Sequence, residues 1–244
     1  MKEFIETKNL SKRFDGVHAI DGLSIAIDKG VITGVIGPNG SGKSTLVNVI
    51  SGMMPFEGGA LVVGGEHFRE IEDYEVADLG ITRTFQEVRL FNQMTVFDNI
   101  LVVLTKRGVF ESLFETNSKF HEERAKELLE MVGLWDKRHA LAVNLSYGQR
   151  KLLEIGRALA MSSEVYLFDE PFAGLFPEMI KRIVAIMHHL KDAGKTVVLI
   201  EHNMQLIREL CDHLFVLDSG KLLAAGKPNE VLERRDVAEA YLGE

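Results

Sequence analysis

Gly37-Pro38-Asn39-Gly40-Ser41-Gly42-Lys43-Ser44-Thr45 is the stretch on which the reading of this chain turns. It matches the pattern G-x-x-x-x-G-K-[ST] throughout, in the context that pattern requires. The apolar run Val31 to Ile36 before it reads as a buried strand. Ser44 to Ser51 after it reads as a helix, with Leu46, Val49 and Ile50 on one face and Gly52 closing it. The glycines let the backbone wrap tightly and turn several N–H groups toward one point. The helix N-terminus adds partial positive charge, and Lys43 adds a full one near the β- and γ-phosphates of a nucleotide. Ser44 is placed to ligate Mg²⁺. The stretch is therefore a P-loop, and the ligands it implies are ATP and Mg²⁺.

Working outward, Val165-Tyr166-Leu167-Phe168-Asp169-Glu170 is an apolar strand that ends in two carboxylates. Asp169 at the strand end can reach Mg²⁺ through water. Glu170, one residue on, is free to accept a proton from attacking water or to orient it. Gln86 follows the expected strand Ile81 to Phe85, and His202 follows the expected strand Thr196 to Ile200. Both stand at C-terminal strand ends, where α/β sheets carry their chemistry, and both could reach the γ-phosphate or its water. A second serine-glycine loop, Leu145-Ser146-Tyr147-Gly148-Gln149, opens another helix pattern. One nucleotide needs one phosphate cradle, so two cradles suggest that each serves a different nucleotide in a two-chain assembly.

The rest of the chain is organised around these motifs. Strands at Phe4 to Leu10 and Ala19 to Ile27 precede the P-loop. Gly59 to Gly65 is strand-rich, and Asp73 to Asp78 reads as a short acidic helix. From Asn92 to Leu145 the texture is helical. Thr95 caps a helix with Asp98 at the capping-box position, and Ser118 to Val132 is amphipathic. After Leu145, helices at Gly148 to Ala160, Glu178 to Leu190 and Met204 to Leu210 alternate with fully apolar strands. A strand at Leu222 to Ala225 and one helix near Asn229 to Tyr241 close the sequence. The expected fold is α/β: a P-loop NTPase core with a mostly parallel sheet, an antiparallel β subdomain and an inserted α-helical subdomain. Residues 1–91 and 146–244 make the core and β subdomain, and 92–145 the helical subdomain.

Composition narrows the function. The 244 residues carry a formal net charge of −8, which argues against a nucleic-acid partner. Lys12-Arg13 and Arg234-Arg235 read as solvated surface. No apolar run approaches the ~20 residues of a membrane helix, and the charged start Met1-Lys2-Glu3 is not a secretory signal. One cysteine, Cys211, leaves no internal disulfide framework and fits a reducing compartment.

Taken in order, GPNGSGKST, Gln86, LSYGQ, VYLFDE and His202 resemble the P-loop, Q-loop, signature, Walker B and switch-histidine motifs of the nucleotide-binding subunits of ABC transporters. The resemblance covers almost the whole chain. It implies an ATPase of one domain in which Lys43, Gln86, Glu170 and His202 are catalytic. Ser44, Gln86 and Asp169 hold Mg²⁺, and residues Gly37 to Thr45 hold the nucleotide. Phe14 falls at the position that stacks on adenine. It also implies a head-to-tail pairing with a second ATPase subunit, identical or different, in which Leu145 to Gln149 of one chain cover the γ-phosphate held by the other. Ser146 and the Gly148 N–H make that contact. Further implied partners are transmembrane permease subunits and, indirectly, an extracytoplasmic solute-binding protein. The location implied is cytoplasmic, on the inner face of the cell membrane.

Finer likeness points to a subgroup. Thr82-Arg83-Thr84-Phe85-Gln86-Glu87-Val88-Arg89-Leu90-Phe91, Tyr147 in the signature and Asp169-Glu170-Pro171-Phe172-Ala173-Gly174-Leu175 resemble the ATPases of branched-chain amino-acid importers. Urea or amide importers and the lipopolysaccharide-export ATPase share parts of these stretches and are the alternatives. A soluble ABC ATPase acting on ribosomes or DNA usually carries tandem ATPase domains or a long coiled coil, and neither is found. One position departs from the pattern: Phe176 stands where most ABC proteins have aspartate and this subgroup often has asparagine, which puts communication between the two sites of a dimer in question.

Overall fold

The computed structural model describes residues 3–72, 74–85, 87–105 and 118–242. They divide into two compact units. The first comprises Met1–Arg83, Glu164–Glu170 and Met187–Glu244, and the second Thr84–Ser163 and Pro171–Ile186.

The first unit holds two sheets. A four-stranded antiparallel sheet has the order β2-β1-β4-β5, from β1 (Glu3–Phe14), β2 (Val17–Asp28), β4 (Gly58–Val63) and β5 (Glu66–Phe68). Asp15-Gly16 joins β1 to β2 as a two-residue hairpin with φ of 46° and 87°, the left-handed backbone that Asp-Gly turns adopt readily. The six-stranded sheet has the order β10-β9-β3-β8-β7-β6, from β3 (Ile32–Ile36), β6 (Ile81–Arg83), β7 (Val165–Asp169), β8 (Thr196–Ile200), β9 (His213–Asp218) and β10 (Lys221–Gly226). Every residue of β3, β7 and β8 is buried, as expected of parallel strands covered on both faces. The strands β9, β3, β8, β7 and β6 run parallel, and only β10 reverses. Their C-terminal ends therefore line one edge, where the P-loop, Arg83, Asp169-Glu170 and Glu201-His202 emerge.

Helix α1 (Lys43–Ile50) packs Leu46, Val49 and Ile50 into a core shared with Ile20, Leu61, Leu167, Val198 and Phe215. At the C-terminal end of the chain, the sequence predicts one helix where there are two, α7 (Pro228–Leu232) and α8 (Arg235–Leu242). The break falls at Glu233-Arg234, and the Arg234 guanidinium bonds Asp236 in the first turn of α8. The acidic helix expected at Asp73 to Asp78 is also revised: residues 74–80 form successive turns closed by bonds such as Asp78 N to Glu75 O, and residue 73 lies outside the described residues.

The second unit is helical, with α2 (Val96–Leu104), α3 (Ser118–Met131) and α4 (Tyr147–Ala160) as its main described elements. Thr95 caps α2, its hydroxyl accepting from Asp98 N at 3.0 Å and donating to the Asp98 carboxylate at 2.6 Å. Asn99, fully buried, donates to the Thr95 and Phe91 carbonyls and accepts from Phe91 N, which fixes the loop before α2. Gly156 in mid-α4 lets Ile100 and Val132 approach closely, since a Cβ there would meet Ile100 at 3.2 Å. Helix α5 (Pro177–Asp192) contributes residues to both units, and α6 (Met204–Leu210) belongs to the first.

Candidate nucleotide site

Helix α1 starts without a side-chain cap. Its N-cap is Gly42, at φ 101°, and its first turn carries no acidic residue, so no carboxylate of the helix itself opposes an anion at this end. Glycine is required here on two counts. The backbone is left-handed, and a Cβ would sit 2.4 Å from the Ala19 carbonyl oxygen. A Cβ at Gly37 would likewise meet the Leu217 carbonyl oxygen at 2.1 Å. The loop is thus pressed against the β9–β10 turn, and Gly220 N donates to Ser41 O at 3.1 Å.

Lys43 is buried and folds back over the loop. Its ammonium donates to the carbonyls of Gly37 at 2.7 Å and Pro38 at 2.8 Å. The cation sits within the cradle, where phosphate oxygens would exchange for these carbonyls. A magnesium ion takes one or two carboxylates together with phosphate oxygens and water. The donor set here fits that requirement, with the Ser44 hydroxyl in the first turn of α1 and the Asp169 carboxylate at the end of β7.

Asp169 is only 4% exposed. Its Oδ2 accepts from Arg83 Nη2 at 2.9 Å, and Arg83 Nη1 donates to Asn48 Oδ1 at 2.6 Å and to Ser51 Oγ at 3.1 Å. Asn48 lies on α1, and Ser51 follows it. Glu170 occupies left-handed backbone at φ 47°, and its N–H donates to Ile200 O at 3.0 Å. For a residue with a side chain that conformation costs roughly 1–3 kcal/mol and is typical of working sites. It turns the carboxylate to His202, whose Nε2 lies 3.1 Å from Glu170 Oε1. Glu201, buried, accepts from the N–H groups of His202 at 2.9 Å and Asn203 at 3.1 Å, fixing the turn that carries the histidine.

The first unit thus brings together residues Gly37 to Thr45, Asp169, Glu170 and His202, and it also contains Phe14 at the end of β1. Phe14 is 44% exposed, with the Lys12 ammonium 5.3 Å from the centroid of its ring. Gln86 lies outside the described residues. Arg83, named only within the subgroup stretch, and Glu201 have no role in the sequence motifs. Their signals are a charge closing the short strand β6 and a carboxylate immediately after β8, as Glu170 stands immediately after β7.

The signature stretch belongs to the second unit. Ser146 is the N-cap of α4 in a reciprocal capping box: Gln149 N donates to Ser146 Oγ, and Ser146 N donates to Gln149 Oε1. Gly148 is buried against Met179 and Leu175, while Tyr147 is 51% exposed beside Gly174. Phe176 is 72% exposed.

A model of the family described as "ABC transporter" matches residues 20–173. The chain belongs to this family. The cassette is 36% identical over 249 residues to the probable branched-chain amino acid transport ATP-binding protein LivG of Archaeoglobus fulgidus, covering 99% of this chain and 96% of that protein. Among solved structures, it superposes on the ADP conformation of MJ1267, an ATP-binding cassette of an ABC transporter, with a TM-score of 0.87 and 36% identity over the whole of both chains. It also superposes on the dimeric post-hydrolysis structure of the ATP-binding cassette MJ0796 bound to ADP and Pi, with a TM-score of 0.81 and 25% identity, covering 92% of this chain and 98% of that one. The P-loop α/β fold expected from the motifs is the fold of these cassettes. Among the described residues, no helix is long and apolar enough to cross a membrane.

Proposed function

We propose that this cassette is the ATP-hydrolysing subunit of an importer for branched-chain or related amino acids. In this reading it sits on the cytoplasmic face of the cell membrane, bound to separate permease subunits that an extracytoplasmic solute-binding protein supplies. The observation that carries the hydrolytic part is the Glu170–His202 pair on the sheet edge that also bears the P-loop. The amino-acid assignment rests on the near full-length likeness to LivG, whose name specifies that transport.

In the proposed cycle Phe14 stacks on adenine, and the N–H groups from Gly40 to Thr45 hold the phosphates with Lys43. Ser44 and Asp169, with Gln86, would hold Mg²⁺, which would supply positive charge to neutralise the phosphates. Glu170 takes a proton from the attacking water as the water oxygen bonds to the γ-phosphorus and the bond to the β,γ-bridging oxygen breaks, so that ADP leaves with that oxygen, while His202 holds the Glu170 carboxylate in place. Ser146 and the Gly148 N–H of a second ATPase subunit close over the γ-phosphate. ADP offers no γ-phosphate for that contact, so the closed dimer is favoured by ATP and released after hydrolysis.

The test is phosphate release from ATP by the purified chain with Mg²⁺, compared with Lys43→Ala. The proposal requires hydrolysis by the natural protein and loss of both binding and hydrolysis in the variant. Reconstituted with its permease subunits in vesicles, the cassette should hydrolyse faster when a leucine-loaded binding protein is added. Equal rates with and without that protein would remove the amino-acid assignment.

A further inference from the structure

Arg83 has no part in the cycle above, yet its guanidinium bonds Asn48, Ser51 and Asp169 at the site. It closes β6, next to β7, with its side chain 8% exposed against an Asp169 side chain 6% exposed. Its fork is divided between two parts of the site. Nη2 holds Asp169 Oδ2, while Nη1 holds Asn48 of α1 and Ser51 beyond it and lies 3.5 Å from Met53 Sδ.

A buried carboxylate without a partner is strongly unfavourable. The Asp169 that is to face Mg²⁺ therefore needs a compensating charge whenever nucleotide is absent, and Arg83 provides it. Two cations drawn to one carboxylate repel each other, and within a buried site that repulsion is far stronger than in water. Arginine suits the task better than lysine, because its rigid fork reaches two anchors on the P-loop helix and its end while one N–H meets the acid.

We propose that Arg83 is a positioning residue that stands in for the divalent cation. It neutralises and aims Asp169 in the ligand-free cassette, and it sets the Mg²⁺ concentration at which nucleotide is held tightly. The inference rests on the nucleotide-site reading above. It makes the ligand-free protein stable at the cost of weaker Mg²⁺ binding.

The test uses the full chain and two readouts that need no turnover: melting temperature in EDTA, and the Mg²⁺ concentration giving half-maximal binding of a fluorescent ADP. Arg83→Gln and Arg83→Met should melt about 5–15 °C lower in EDTA, as expected for breaking a buried ion pair in a chain of this size. They should also reach half-maximal binding at roughly tenfold less Mg²⁺, because the competing charge is gone. Arg83→Lys keeps the charge but not the fork, so it should melt lower while its Mg²⁺ midpoint stays near that of the natural protein. Asn48→Ala loosens one Arg83 anchor and leaves the ion pair, which keeps the test open if the Arg83 variants do not fold. It should melt slightly lower and, like Arg83→Lys, keep a Mg²⁺ midpoint near that of the natural protein, because the competing charge is still there. Mg²⁺ midpoints that are unchanged or raised in Arg83→Gln and Arg83→Met overturn the proposal, as does a tenfold fall in Arg83→Lys or Asn48→Ala. Failure of the natural protein to bind ADP at any Mg²⁺ concentration would instead strike the nucleotide-site reading itself.

Discussion

His202 Nε2 lies 3.1 Å from Glu170 Oε1, and the carboxylate reaches it from a backbone turned to φ 47°. A residue in that conformation is strained unless it is glycine, so the fold spends stability to aim this one side chain. Glu170→Gly should abolish hydrolysis yet leave the protein as stable or more so, by up to about 1 kcal/mol. Urea unfolding of the two proteins side by side checks it. A clearly destabilised glycine variant would mean that the glutamate side chain contributes more to the fold than its backbone costs.

Glu201 acts at one remove, through the N–H groups of His202 and Asn203. Glu201→Ala, which removes the acceptor, should retain nucleotide binding and lower kcat about tenfold or more, the scale on which loss of orientation is felt. Steady-state kinetics separate the two cases, because a loss confined to KM would assign Glu201 to binding instead.

Phe14 offers nearly half of its surface for a base to stack upon. Replacing it with alanine should weaken ATP binding by about 1–2 kcal/mol, and replacing it with tryptophan should not. Titration with a fluorescent ATP reads both. Equal weakening in the two variants would show that shape at this position, not stacking, is what matters.

Much of this site was legible because its residues sit at positions that patterns mark. The P-loop spacing, the acid pair closing an apolar strand and the histidine after β8 are local signals, and the parallel sheet brings them to one edge. Arg83 was not legible in this sense. Its partners are Asn48, Ser51 and Asp169, and only the strand order that sets β6 beside β7 makes them neighbours. The break at Glu233-Arg234 was equally hidden; just beyond it the Arg234 guanidinium bonds Asp236 in the first turn of α8.

The second unit holds a carboxyl with its own pH signature. Burial pushes Glu154 above the usual glutamate range, against the opposing hydrogen bonds from Phe85 N and Arg89 N. Over the window from the unfolded glutamate value, about 4.3, up to that raised value, the folded protein keeps a proton that the unfolded chain releases. Stability should therefore fall as pH rises through this window, and Glu154→Gln should remove that part of the slope. Denaturant midpoints at a series of pH values from mildly acidic to neutral decide the matter. Parallel pH profiles for the two proteins would show that Glu154 titrates alike in both states.

ATP, and not ADP, should close two copies of this cassette over the paired cradles of P-loop and signature loop. The mass of Glu170→Gln by light scattering at saturating nucleotide with Mg²⁺ reads this closure. A dimer with ATP and a monomer with ADP are the predicted result. A monomer under both conditions, with ATP shown to be bound, would contradict closure of the chain upon a copy of itself.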